Sequence, residues 1–334
     1  NAREFIDLNR IPKTPWELVD VEKYVFKHEK EEKTIRELDI GQTSRGCPGS
    51  CYFCYNMIVH KSKWRGIKPK KVLEQIKTVV KKYRLDAIIF RDDDFFADLK
   101  RVEEICKLLI KEKLNIKWYA SGIRINQFNQ MSDKLITILK ESGCTSFRFG
   151  VESGSPRILK LINKNINPED VIKANNKCKK FRIAPHYSFI VGFPTETKKD
   201  FLMTVELIDK LKRDNSKAII HGVNIFTPFP GTVLFKICKK EGLKEPIKIG
   251  EWVKFHHLKF LTPKMSKKEK QIVKSIHNLS YFTSQITYDN LPKTLRIISY
   301  PLKKWAEYRW KKRWFEFTPE IKIINMLRKI IFKF

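Results

Sequence analysis

Long apolar runs are missing. Charged residues interrupt every hydrophobic stretch before it reaches bilayer-crossing length, so no spanning segment is expected. No basic start followed by an apolar h-region opens the chain, so a cleavable secretory leader is not expected either. Cysteine is scarce: seven residues in 334, an odd number thinly spread, which argues against a secreted disulfide framework. A reducing, cytoplasmic setting follows as the expectation. Acidic residues are few, 37 against 68 Lys and Arg, leaving a formal charge of +31. Lys far outnumbers Arg and Ile is abundant, so part of that surplus reads as AT-rich codon usage. Nucleic acid, an anionic membrane face and an acidic substrate are the functional readings of the rest. Low-complexity segments and repeats are absent apart from the alternation described below. The first residue is Asn, not Met, so the chain reads as a processed product or a part of something longer.

What is present suffices for a large core. With 42% hydrophobic and 12% aromatic residues, wholesale disorder is excluded. The length allows one large domain with an appendage, or two domains. Strands are expected at Leu38–Thr43, Ala87–Arg91, Ile116–Ser121, Ser146–Val151, His186–Val191 and Ile219–Phe226. Between them lie amphipathic segments: Val72, Ile76, Val79 and Val80 share one face, and Val102, Ile105, Cys106, Leu109 and Ile110 another. Leu135, Ile138 and Leu139 mark a third helix, with more at Val171–Lys179 and Leu202–Leu211. Six strand-then-helix units predict an α/β fold with a parallel sheet. They are too few for an eight-stranded closed barrel, so a partial (β/α)6 barrel is expected, with its site at the carboxyl ends of the strands. The expected organisation is an extended lead-in over 1–36, a core domain over 37–235 and a basic, mainly helical C-terminal extension over 236–334.

The most specific feature is Cys47-Pro-Gly-Ser-Cys51-Tyr-Phe-Cys54, directly after the first expected strand. Three thiolates within eight residues can converge on a soft-metal centre, zinc or iron–sulfur. Structural zinc usually takes four protein ligands in paired knuckles, and no second pair exists; Cys106, Cys144, Cys178 and Cys238 are scattered. Three ligands on a four-iron cubane would leave one iron open.

Cys-x3-Cys-x2-Cys after the first strand of a βα series resembles the radical S-adenosylmethionine (SAM) superfamily. The resemblance implies that Cys47, Cys51 and Cys54 bind a [4Fe–4S] cluster whose open iron takes the amino and carboxylate groups of SAM. Reductive cleavage then gives methionine and a 5′-deoxyadenosyl radical, with an oxygen-sensitive cluster and an electron donor such as flavodoxin or ferredoxin. Further segments carry the match across about 38–235. Phe53 holds the aromatic position that the family sets near the adenine. Asp92 and Asp93 resemble the acidic strand-end motif near the SAM amino group, against a solvated turn as the plain alternative. Glu152 and Ser153, in Gly150-Val-Glu-Ser-Gly-Ser155, fit the segment that reaches the SAM ribose or amino group, although Ser153 or Ser155 also suits a helix cap. Gly192, in Gly192-Phe-Pro-Thr-Glu-Thr197, would let backbone approach the adenine edge. Thr227-Pro-Phe-Pro-Gly-Thr232 closes the sixth strand. Arg124 suits a carboxylate or phosphate as well as it suits solvent.

These motifs look most like the branch of cobalamin-binding methylases and the anaerobic magnesium-protoporphyrin ester cyclase. Ile11-Pro-Lys-Thr-Pro-Trp16 resembles the connector that follows the cobalamin domain there. That domain is not among these residues, so cobalamin is expected only through a missing or partner domain. Methylation, cyclisation and C–C bond formation on a small-molecule or lipid-like substrate stay open. A tRNA-modifying member of the superfamily and a non-catalytic zinc or iron–sulfur module are the alternatives. From Leu291 to Phe334, 12 Lys/Arg face 3 Asp/Glu among nine aromatics, and Ile323, Leu327, Ile330, Ile331 and Phe334 recur at helical spacing. This tail suits packing over a sheet edge or peripheral contact with the cytoplasmic membrane face; nucleic acid ranks behind both. His256 and His257 read as surface residues, since adjacent histidines seldom both ligate one metal.

Overall fold

The computed structural model describes residues 4–30, 33–255, 262–289 and 291–316. His256, His257 and the helical stripe from Ile323 to Phe334 lie outside the described residues. Nine strands are formed among the described residues: β1 (Phe26–Lys30), β2 (Lys33–Asp39), β3 (Ser44–Arg45), β4 (Arg65–Gly66), β5 (Ala87–Phe90), β6 (Lys117–Ile123), β7 (Cys144–Glu152), β8 (Ala184–Val191) and β9 (Ile219–Ile225). Seven make one sheet in the order β1-β2-β5-β6-β7-β8-β9, and β3 pairs with β4 apart from it. β2, β5, β6 and β7 run parallel, and the connections from each to the next contain helices. The fold is α/β, with the sheet of a partial barrel, as expected.

Two differences from expectation occur at the beginning. The sheet has seven strands, not six, because β1 adds an antiparallel edge to β2, with Phe26 opposite Glu37. The lead-in is therefore not simply extended: three 3₁₀ turns (Leu8–Arg10, Trp16–Leu18, Val21–Tyr24) precede a hairpin. The hairpin is charge-rich and lacks the apolar alternation by which a half-buried strand is recognised. The first expected strand also ends early, at Asp39, since the chain turns at Gly41 (φ +79°).

The chain divides into two compact units. One comprises Asn1–Ser50, Asn56–Gly150 and Glu169–His186. Its helices Pro69–Tyr83 and Leu99–Lys111 bury Val72, Ile76 and Val79, and Val102, Ile105, Cys106 and Leu109. Ile110, at the end of its helix, is exposed. Around them lies an aromatic cluster in which Phe90 stacks on Phe95 (4.6 Å) and meets Trp118 edge-on (5.6 Å), while Phe128 packs on Phe147 (4.8 Å). The other unit comprises Cys51–Tyr55, Val151–Pro168 and Tyr187–Phe334. Helix Lys198–Asp214 buries Phe201, Val205, Ile208 and Leu211, and helix Lys267–Phe282 covers β9. The Ser280 hydroxyl of that helix accepts the Val223 N–H of β9 at 2.8 Å. Helix starts are written in the sequence: Asp98, Ser132, Ser155, Thr197 and Thr232 each accept a first-turn N–H, an N-cap worth about 0.5–2 kcal/mol.

Candidate active site

In the first unit, β5 ends in Arg91-Asp-Asp-Asp-Phe-Phe96. Phe95 and Phe96 are buried in the aromatic cluster, and this anchors the three carboxylates between strand and core. Each carboxylate fixes a different point of the segment leading to the first cysteine. Asp92 accepts the Thr43 N–H (3.1 Å), the Thr43 hydroxyl (3.0 Å) and the Ser44 hydroxyl. Arg101 closes that knot by donating to the Thr43 carbonyl at 2.9 Å. Burial pushes the Asp92 carboxyl up, and the Ser44 and Thr43 donors and the Arg101 charge oppose it. Asp93 accepts the Gly46 N–H at 2.9 Å and lies 3.7 Å from His60 Nε2. Asp94 accepts from Gln127 at 2.8 Å and from the Cys47 thiol at 3.5 Å. Burial, reinforced by the Asp94 carboxylate, pushes the Cys47 thiol up to about 12. Gly46 is obligatory here: its φ is +88°, and a Cβ would sit 2.1 Å from the Lys63 carbonyl oxygen.

In the second unit, Cys51 and Cys54 flank Phe53, and both thiols are half-buried, unlike the four scattered cysteines, which are buried. The segment is held by backbone: Tyr52 N–H donates to the Ile162 carbonyl (2.9 Å) and the Tyr52 carbonyl accepts from Leu234 (3.1 Å). The Phe53 ring lies 6.0 Å from Phe193, and the Lys164 ammonium stands 5.8 Å from its centroid. Lys164 donates to Glu152 at 2.8 Å. Glu152 sits at the tip of β7 with φ +71°, a conformation a residue of this size adopts only when its surroundings impose it. Asn163 and Asn165 are left-handed on either side of Lys164 (φ 51° and 54°), so the chain turns twice and presents the lysine between them.

Ser153 is fully buried, its hydroxyl 3.2 Å from the Thr204 hydroxyl and accepting the Ser155 N–H at 3.1 Å. Gly154 packs against helix Lys198–Asp214 so closely that a Cβ would lie 2.4 Å from the Met203 carbonyl oxygen. Ser155 caps its helix and donates to Asp200 at 2.6 Å. Burial raises the Asp200 carboxyl, but the donors Arg157, Ser155 and Thr197 outweigh it and hold it well below the usual carboxylate range. Gly192 (φ +91°) opens a loop whose Gly192 and Phe193 N–H groups both donate to Glu196, at 2.6 and 2.9 Å. Thr262 donates to the Gly192 carbonyl.

The second unit thus gathers Phe53, Glu152 and the Gly192 loop through Lys164 and Phe193; in the first, Asp94 holds Cys47, Asp93 holds Gly46 and Asp92 holds Thr43 and Ser44. Lys164, Asp94, Gln127 and Glu196 were not singled out from the sequence; the two asparagines flanking Lys164, a residue type that tolerates left-handed turns, were the signal it offered. Among the described residues, no three His, Cys, Asp or Glu side chains form a group that could hold a single metal ion. Structural zinc takes four protein ligands, whereas a set of three thiols matches the three protein-ligated irons of a cubane.

Glu196 makes a pH-dependent prediction. Burial pushes its carboxyl up to about 8 in spite of the two N–H donors. Both donors reach Oε2, while Oε1 is buried with no hydrogen-bond partner and so can carry a proton without disturbing the loop. The unfolded carboxyl titrates near ~4.3. Between those values the folded chain binds more protons than the unfolded one, so stability falls as pH rises across that window. Glu196→Gln retains the accepting oxygen and removes the titration. Its urea midpoint should decline less than the parent's between about pH 5 and 8; equal slopes would contradict the assignment.

An uncharacterized methyltransferase of Pyrococcus horikoshii is 39% identical over 194 residues, covering 58% of this chain and 40% of that protein. The anaerobic magnesium-protoporphyrin IX monomethyl ester cyclase of Rubrivivax gelatinosus is 28% identical over 264 residues, 78% of this chain and 43% of that protein. The chain thus spans about two-fifths of the length of these relatives. Methyltransferase, cyclase and tRNA-modifying types all occur among its homologues. The structure of the cobalamin-dependent SAM radical enzyme OxsB aligns with 99% of this chain and 53% of its own, at a TM-score of 0.66 and 16% identity, and shares the fold. A family model for the radical SAM superfamily, whose members use a [4Fe–4S] cluster and SAM, matches residues 42–208, and the chain belongs to that superfamily.

Proposed function

We propose that Cys47, Cys51 and Cys54 each ligate one iron of a [4Fe–4S] cluster and that SAM binds beside it. When bound, cluster and SAM supply a 5′-deoxyadenosyl radical by reductive cleavage. The residues of this chain hold and orient. Lys164 and Glu152, a cation and an anion 2.8 Å apart, match the carboxylate and ammonium of an amino acid, and SAM carries both. Phe53 offers an aromatic face to a flat base, with Phe193 of the Gly192 loop packed 6.0 Å from its ring. Asp93 fixes the loop before Cys47, and Asp92 braces it from within the core, buried too deeply to touch SAM itself. Ser153 keeps the Glu152 turn in place. The observation that carries this reading is the linkage of the Cys51–Cys54 segment to Glu152 and to Phe193 through Lys164 and Phe53.

The methyltransferase and cyclase homologues support methylation or cyclisation; a hydrophobic small-molecule substrate and a flavodoxin or ferredoxin donor complete the proposal. Methylation with cobalamin calls for a cobalamin-binding unit supplied outside these residues. The test is anaerobic reconstitution with iron and sulfide, then dithionite and SAM, with 5′-deoxyadenosine measured by mass spectrometry. Product that depends on iron supports the reading; a chain that takes zinc and releases no product ends it. The net charge of +31 and a tRNA-modifying relative favour a second reading, modification of tRNA. A salt-sensitive shift of tRNA on a gel distinguishes it.

A further inference from the structure

Helix Lys293–Lys311 is amphipathic in the wrong sense for a helix facing water. Its inner arc holds Ala306, Arg309 and Trp310, all buried, with Arg296, Ser299 and Lys303 half-buried; Arg309 is 0% exposed. The outer arc displays Ile297 (76% exposed), Ile298 (69%), Tyr300, Trp305 and Tyr308 (both tyrosines 50%). The inner face is fixed by polar ties: Trp310 Nε1 donates to Asp209 at 2.8 Å, and Arg313 pairs with the same carboxylate at 2.7 Å. Rotating the helix to bury its isoleucines would break both. The outward apolar face is thus built in.

We infer that this face is a docking surface for an anionic lipid leaflet. Three observations select that occupant over a protein. Trp305, Tyr308 and Trp314 form one exposed aromatic group, with Trp305 5.8 Å from each of the other two, and Trp and Tyr are the side chains that favour the membrane–water boundary. Lys304 and Lys311 follow Ile297 and Tyr300 along the same outer stripe at helical spacing, with Lys312 exposed just beyond, placing cations where lipid phosphates would lie. The exposed cations here, Lys304, Lys311 and Lys312, outnumber the one Glu of the helix, Glu307, a surplus that suits an acidic leaflet better than a protein's apolar groove. No helix among the described residues is long and apolar enough to cross a bilayer, so the contact is peripheral. This inference does not depend on the radical SAM site, since lipid binding needs neither cluster nor SAM.

The test is flotation of the full chain with vesicles of phosphatidylcholine, pure or containing phosphatidylglycerol. The chain should float with the anionic vesicles only, and less at high salt, where charges more than about 3–10 Å apart are screened. Tryptophan emission should shift to the blue and be quenched by brominated lipid. Ile297→Glu with Ile298→Glu should weaken binding at least about tenfold, since neither side chain could then enter the apolar phase. Lys304→Glu with Lys311→Glu should do the same while leaving circular dichroism unchanged. The inference is overturned by absence of binding at low salt, or by equal binding to both vesicle types. It is also overturned if the face variants abolish self-association without affecting flotation, or if deleting 317–334 abolishes flotation that the face variants leave intact.

Discussion

Cys51→Ala, reconstituted anaerobically beside the parent chain, is expected to lose its iron and to release no 5′-deoxyadenosine above background. The reason is ligand arithmetic. A cubane held by three thiolates has one open iron, and removing a second corner leaves two bonds to resist loss of the cluster into solution. Cys51 is half-buried, its carbonyl accepting the Cys54 N–H at 3.0 Å, so the loop has a backbone reason to keep its shape when the thiol is gone. Cys47→Ala and Cys54→Ala should match it. Cys106→Ala is the informative control. That thiol is buried in a helix face and pushed up to about 12 by desolvation, so the variant should lose stability to a small cavity and keep its iron. Iron retained in Cys51→Ala, or lost in Cys106→Ala, would assign the cluster to other ligands.

The parts of this protein legible from sequence are those where chemistry is local. Cys47, Cys51 and Cys54 are spaced by the loop itself, and Glu152 and Gly192 announce themselves as an acid and a glycine at strand tips. The helical faces around Val72 and Val102 were legible because periodicity reports burial directly. What was hidden depends on pairing at a distance. Asp94 looked like one more surface acid until the fold set it against Cys47 and Gln127, 47 and 33 residues away. Asp92 has the composition of a ligand contact and the burial of a brace. Strand β1 escaped because an edge hairpin can be stabilised by its ladder while showing charge on both faces. The C-terminal extension was expected to be mainly helical, but which face of helix Lys293–Lys311 turns inward is decided by Asp209, more than 80 residues earlier.

Lys164→Met should be strongly destabilising. Lys164 and Glu152 are only 12% and 8% exposed, so removing the ammonium leaves a carboxylate with little water to solvate it. Breaking such a pair from one side costs about 3–5 kcal/mol. Glu152 is also held left-handed, at φ +71°, a conformation that itself costs roughly 1–3 kcal/mol and persists only while its surroundings insist on it. The double variant Glu152→Gln with Lys164→Met removes both charges and should regain most of the loss, as measured by urea denaturation. If the double variant is as unstable as Lys164→Met, the lysine acts through its packing over Phe53 and not through its charge. If Lys164→Met stays within about 0.5 kcal/mol of the parent, the pair is not a buried one. The recovered double variant then separates fold from function: it should remain folded and assemble its cluster, yet bind SAM far more weakly, because the site has lost both groups matched to the amino-acid end of that molecule.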